Sequence, residues 1–132
     1  MPTLRAVLEP AVAIATDGKA TAARPAQAEL VEAVERAFET TGPLAAEDPT
    51  GSGKSLAVTV PAMLAAAKGV GTVVSAETLG FQAQIVGKDG PAAQAAYEAT
   101  GYGPVLAALK GRSSYVVARL PLPRSPSTTA RG

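Results

Sequence analysis

The run Thr50-Gly51-Ser52-Gly53-Lys54-Ser55 concentrates the residue types that bind phosphate. Small residues let the backbone curl until successive N–H groups converge on a β-phosphate, and a helix opening at the lysine adds its positive end. In such a loop Lys54 bridges the β- and γ-phosphates, which makes it the catalytic candidate, and the Ser55 hydroxyl holds Mg²⁺. The strict pattern opens on Gly or Ala, and here that place holds Asp48. The short apolar stretch 44–47 precedes the loop and an apolar helical run follows it, giving the order strand, loop, helix. ATP hydrolysis in this architecture also needs an apolar strand ending in acidic residues, to orient Mg²⁺ and the attacking water. Glu47 and Asp48 lie inside the loop, Asp89 follows a helical stretch, and no acid follows Glu98. The residues point to nucleotide binding without complete hydrolysis machinery.

Other chemistries are excluded by composition. The chain of 132 residues has no cysteine and no histidine, so it has no thiolate zinc site, no thiol nucleophile, no Ser-His-Asp triad and no iron–sulfur cluster. Alanine contributes 29 residues, glycine 13 and proline 11, against five aromatics. One small domain is expected, with a core of Ala, Val and Leu. Net charge is +1 but uneven: residues 1–98 carry 7 basic and 11 acidic side chains, whereas 99–132 carry Lys110, Arg112, Arg119, Arg124 and Arg131 and no acid. That split suits a polyanion near the C-terminal third, or simply a solvated end. With no signal-like segment and no long apolar run, a cytoplasmic protein without membrane contact is expected.

Several elements must position the loop. Leu4–Ile14 reads as a short helix interrupted by Pro10. From Pro25 a second helix is expected, with Leu30, Val34 and Phe38 at a spacing of four, Val31 beside them, and Glu32 paired with Arg36 on the wet side. Gly42 and Pro43 stop it. Lys54 to Gly69 reads as a buried helix kinked at Pro61. The β-branched run Val70–Ser75 reads as a strand of a covered parallel sheet. Two more helical stretches follow, the second opening at Pro91, and the proline-rich tail 120–132 is expected to be disordered. The sum is an α/β fold.

Four segments, in order, resemble the N-terminal part of the DinG/XPD-type superfamily 2 DNA helicases. Arg24-Pro25-Ala26-Gln27 is similar to the family's adenine-reading Arg-x-x-Gln segment, which implies a base contact for Gln27. Glu47 to Ala57, followed by Val60-Pro61-Ala62, is similar to motif I. Val73 to Leu79, with Gln82-Ala83-Gln84 and Lys88-Asp89, is similar to motif Ia, whose counterparts touch single-stranded DNA. Leu109-Lys110-Gly111-Arg112-Ser113-Ser114-Tyr115 resembles the Lys-Gly-Arg-x-Asn-Tyr segment. The resemblance implies a partial RecA-like P-loop NTPase lobe over 24–119, a parallel sheet flanked by helices, between an N-terminal helix and loop (1–23) and the tail.

It further implies ATP and Mg²⁺ as cofactors, nucleotide contacts from Arg24, Gln27, Thr50, Gly51, Ser52, Gly53, Lys54 and Ser55, and Ser55 as metal ligand. DNA contacts are implied for Ser75, Thr78, Gln82, Lys110 and Arg112. Gln82 and Gln84 cannot share a helical face, so at most one of them reaches DNA. Val117 stands where relatives carry the first cluster cysteine, and Glu77 sets a carboxylate where DNA phosphate would pass. Motif II and the second motor lobe lie outside this sequence. Two readings follow: the ATP-binding N-terminal portion of a helicase, its remaining part supplied by another stretch of polypeptide, or a non-catalytic nucleotide- or single-strand-binding module that modulates a complete helicase.

Overall fold

The computed structural model describes residues 1–111, and within them every regular element is helical. Helix α1 spans Leu4–Ala15, α2 Pro25–Thr40, α3 Lys54–Ala67, α4 Leu79–Gln84 and α5 Gly90–Glu98, with a π-helical turn, Ile85–Asp89, joining α4 to α5. The expected parallel sheet is absent among the described residues, which overturns the α/β, RecA-like reading of this segment. The run Val70–Ser75 has no regular structure and leaves Val73 95% exposed, and 44–47 is likewise exposed and irregular. The physical reason is pairing. A β-branched run becomes a strand only when a neighbour takes its N–H and C=O groups, and a sheet needs several such runs. The rest of the described chain is rich in alanine, the strongest helix former.

Helix α3 is apolar on all sides, and that places it at the centre. Ser55, Leu56, Ala57 and the stretch Thr59–Ala65 are all buried, as α1, α2 and α5 pack around it. Pro61 sits in the middle of the helix without ending it, and the helix runs from Lys54 to Ala67. Its C-terminus closes through Gly69 at φ +84°: Val70 N–H donates to Ala65 O and Gly69 N–H to Ala66 O, both at 2.9 Å. This is a Schellman closure, and its left-handed position explains the glycine.

Helix α1 also runs through its proline. Pro10 removes one backbone donor, but the buried face of Leu4, Val7, Leu8, Ala11, Val12 and Ala15 holds the helix together. Thr3 caps its start by accepting from Ala6 N–H, and Thr16 closes its end by donating to Val12 O at 2.8 Å. In α2, Pro25 takes the first helical position as expected, and Glu32 meets Arg36 at 4.0 Å on the exposed side. The apolar stripe is displaced from the expected one. Val31 and Gln27 are buried, Leu30 and Val34 are half-buried, and Phe38 is exposed.

The core contains alanine, valine and leucine with Met63 and Tyr97. Helix α5 turns Ala92, Ala93 and Ala96 inward, which lets it approach α1 and α3 closely. The Tyr97 hydroxyl donates to Val60 O at 2.9 Å, so this phenol is satisfied within the core. Burial, reinforced by the negative charge of Glu35, pushes its phenol well above the ordinary tyrosine range. Residues 112–132 lie outside the described part, and with them Arg112, Tyr115 and the tail 120–132.

Candidate functional site

The loop entering α3 is shaped by two left-handed glycines. Ser52 N–H donates to Pro49 O at 3.3 Å, closing a turn whose third residue, Gly51, has φ +84°. Gly53 follows at φ +93° as the residue preceding α3, and its carbonyl accepts the first helical bond, from Ala57 N–H. Both conformations disfavour residues with a Cβ. Among the described residues no side chain caps α3, and its first turn holds no acid, so the leading N–H donors of this 14-residue helix have no side-chain partner there.

Helix α2 braces this loop from the side. The Arg24 guanidinium donates to Gly51 O at 2.7 Å and the Gln27 amide to Gly53 O at 3.2 Å. Gln27 is buried, and a Cβ added to Gly53 would stand 2.9 Å from its Cδ and closer still to its Nε2. Gln27, expected from the resemblance to contact a base, and Arg24, expected to contact nucleotide, both touch the loop backbone here. Lys54 folds back along the same loop, its ammonium donating to Asp48 O and, at 2.8 Å, to Pro49 O. Asp48 Oδ2 and Ser52 Oγ are buried without hydrogen-bond partners among the described residues.

All eight residues expected to bind nucleotide line one cavity of about 550 Å³: Arg24, Gln27, Thr50, Gly51, Ser52, Gly53, Lys54 and Ser55. Its lining includes three cations, Arg24, Lys54 and Lys88, against the single carboxylate of Asp89, a balance that suits a polyanion. The residues expected to bind DNA do not join them. Ser75, Thr78 and Lys110 are exposed and Gln82 is half-buried, none of them on the cavity, and Arg112 lies outside the described residues. Thr78 instead caps α4, accepting from Phe81 N–H at 3.2 Å.

The cavity floor holds two residues that the sequence reading did not assign to the site. Ser55 is buried and donates its hydroxyl to Asp89 Oδ2, while the Gln84 amide reaches Ser55 Oγ at 2.9 Å and Asp89 Oδ2 at 2.8 Å. Asp89 is only 4% exposed. Nothing local marks it, since it is 34 residues from Ser55 and reaches the loop through the turn between α4 and α5. Among the described residues no three acidic, histidine or cysteine side chains cluster as a metal site.

Comparison with known proteins returns one kind of relative. The chain is 40% identical over 95 residues to the ATP-dependent helicase DinG of Mycobacterium tuberculosis strain H37Ra, and to that of Mycobacterium bovis. It carries a helicase-related region. The aligned part covers 70% of this chain and 14% of each relative, so the chain spans a small fraction of the length of the helicases it matches. No family model matches, and no solved structure matches. Among the described residues no helix is long and apolar enough to cross a membrane.

Proposed function

We propose that the chain binds ATP with its loop Asp48–Ser55 and is the nucleotide-binding N-terminal portion of a DinG-like DNA helicase. The observation that carries this reading is the single cavity in which Arg24, Lys54, Lys88 and the uncapped start of α3 converge. Three positive side chains and a row of backbone donors match a triphosphate, and the volume is in the range of small-molecule sites. The 40% identity over 95 residues to proteins named ATP-dependent helicases supports ATP as that polyanion. Lys54 leaves its loop carbonyls to meet the β- and γ-phosphates, which offer it a full negative charge in place of two dipoles. Arg24 and Gln27 keep the loop in shape for that exchange.

Mg²⁺ fits the chemistry of the floor, where a buried hydroxyl and a buried carboxylate present hard oxygens. Bound there with nucleotide, it neutralises charge between the phosphates. Ser55 is the ligand on the loop. Duplex unwinding and contact with single-stranded DNA through Ser75, Thr78, Gln82, Lys110 and Arg112 are proposed from the resemblance, as is completion of the motor by further helicase polypeptide.

Titration of the 132-residue chain with a fluorescent ATP analogue tests the reading. A dissociation constant near or below about 100 μM is expected, weakened at least about tenfold by Lys54→Ala with unchanged circular dichroism. Absence of saturable binding at millimolar analogue, in a chain that unfolds cooperatively, refutes it.

A further inference from the structure

We infer that Asp89 supplies the protein carboxylate of the nucleotide-linked cation site, holding Mg²⁺ together with the Ser55 hydroxyl. The inference rests on the nucleotide-binding reading above and adds a residue to it.

Three features of the floor converge on this role. Asp89 is 96% withdrawn from solvent, yet the same side chain lines the cavity beside Lys54 and Ser55. Its two oxygens are used unequally. Oδ2 takes both the Ser55 hydroxyl and the Gln84 amide, whereas no hydrogen bond among the described residues reaches Oδ1. Oδ1 is not among the fully buried polar atoms that lack a partner, so it keeps some access to solvent and is open to a cation. The Gln84 amide holds the pair in register by touching Ser55 Oγ and Asp89 Oδ2 at once, as groups behind metal ligands commonly do.

The donor set also matches the ion. One hydroxyl and one carboxylate leave most of an octahedral shell open, as Mg²⁺ requires when it keeps waters and takes phosphate oxygens. The lack of a third acidic, histidine or cysteine ligand near the floor speaks against a tight resident metal and for one that arrives with the nucleotide. The surrounding cations Arg24, Lys54 and Lys88 act in the same direction, since they oppose a free divalent ion until phosphates offset them.

The closing experiment separates this inference from the reading beneath it. Affinity for the fluorescent ATP analogue is measured in EDTA and in Mg²⁺, for the unmodified chain and for Asp89→Asn. The unmodified chain is expected to gain at least about tenfold from Mg²⁺, whereas Asp89→Asn is expected to gain less than about threefold over its own metal-free affinity. An equal Mg²⁺ gain in both proteins overturns the assignment of Asp89 while leaving nucleotide binding intact. Binding in neither condition refutes the nucleotide reading instead.

Since Asp89→Asn disturbs a buried cluster, a second measurement needs no variant. Mn²⁺ with ATP is bound to chain labelled with ¹³C at the aspartate side-chain carboxyl, and electron–nuclear double resonance reads the coupling. A directly bonded carboxylate gives a resolved ¹³C coupling that survives Asp17→Asn and Asp48→Asn. No such coupling, or one removed by Asp48→Asn, overturns the assignment.

Discussion

Substituting Gly53 by alanine isolates how the loop is held. The residue has φ +93°, where a Cβ costs about 1–2 kcal/mol of backbone strain. The new methyl also meets Gln27, 2.9 Å from its Cδ and closer to Nε2, and Gln27 is buried against α3 with little room to swing. Moving that amide forfeits its bond to Gly53 O, a further loss of about 0.5–1.5 kcal/mol. Gly53→Ala is therefore expected to cost about 1.5–3.5 kcal/mol in all. Gly51→Ala is the matched control, because its φ of +84° imposes similar strain while nothing lies within 4 Å of the added Cβ. Its expected cost is about 1–2 kcal/mol. Urea unfolding of both variants measures the difference, read as a fall in midpoint at constant slope. Combining Gly53→Ala with Gln27→Ala removes the clash, so the double variant should lose less than the sum of the single ones. Equal costs for Gly51→Ala and Gly53→Ala, with additive behaviour in the double variant, would refute the close approach of Gln27 to the loop.

Tyr97→Phe removes the bond to Val60 O and should cost about 0.5–1.5 kcal/mol in urea unfolding at neutral pH. Because burial raises the Tyr97 phenol in the folded state, the group favours folding below its unfolded value near 10, and that contribution fades as pH rises beyond it. Unfolding midpoints above pH 10 should thus fall more steeply for the unmodified chain than for Tyr97→Phe. Leu8→Ala, at a fully buried site on α1, should cost about 2–5 kcal/mol, whereas Val73→Ser, at a 95% exposed site, should stay within about 0.5 kcal/mol in the same assay. Arg24→Ala should quicken hydrogen exchange at the Gly51 and Ser52 amides and leave those of α1 unchanged, since it frees one side of the loop without touching the core.

The sequence made the helices and the loop legible because their signals are local. Pro25 at a first helical position, Gly69 at a helix end and the glycines before Lys54 each constrain a few neighbouring residues, and each stands where expected. Val70–Ser75 misled for the opposite reason. Its β-branched composition describes what the backbone accepts, while a strand depends on partners elsewhere in the chain. Pro10 and Pro61 show a similar limit: each removes a helical donor, and each is outweighed by the apolar surface that the rest of its helix buries. The site divides along the same line. Its loop half is one contiguous string, but Asp89 and Gln84 enter through tertiary packing, and Gln27 carries no sign that it faces a loop backbone.

The π-helical turn between α4 and α5 sets the angular phase of everything after it. One residue inserted into or deleted from an α-helix rotates the remainder by about 100°. Across Ile85–Asp89 the chain changes from a short helix with no buried residue to one that turns Ala92, Ala93, Ala96 and Tyr97 into the core, and Asp89 is delivered to Ser55 on the way. Two demands thus share one dial. Shortening the turn by a residue would leave the polar floor and the alanine face out of step, so that seating either one would pull the other from its place.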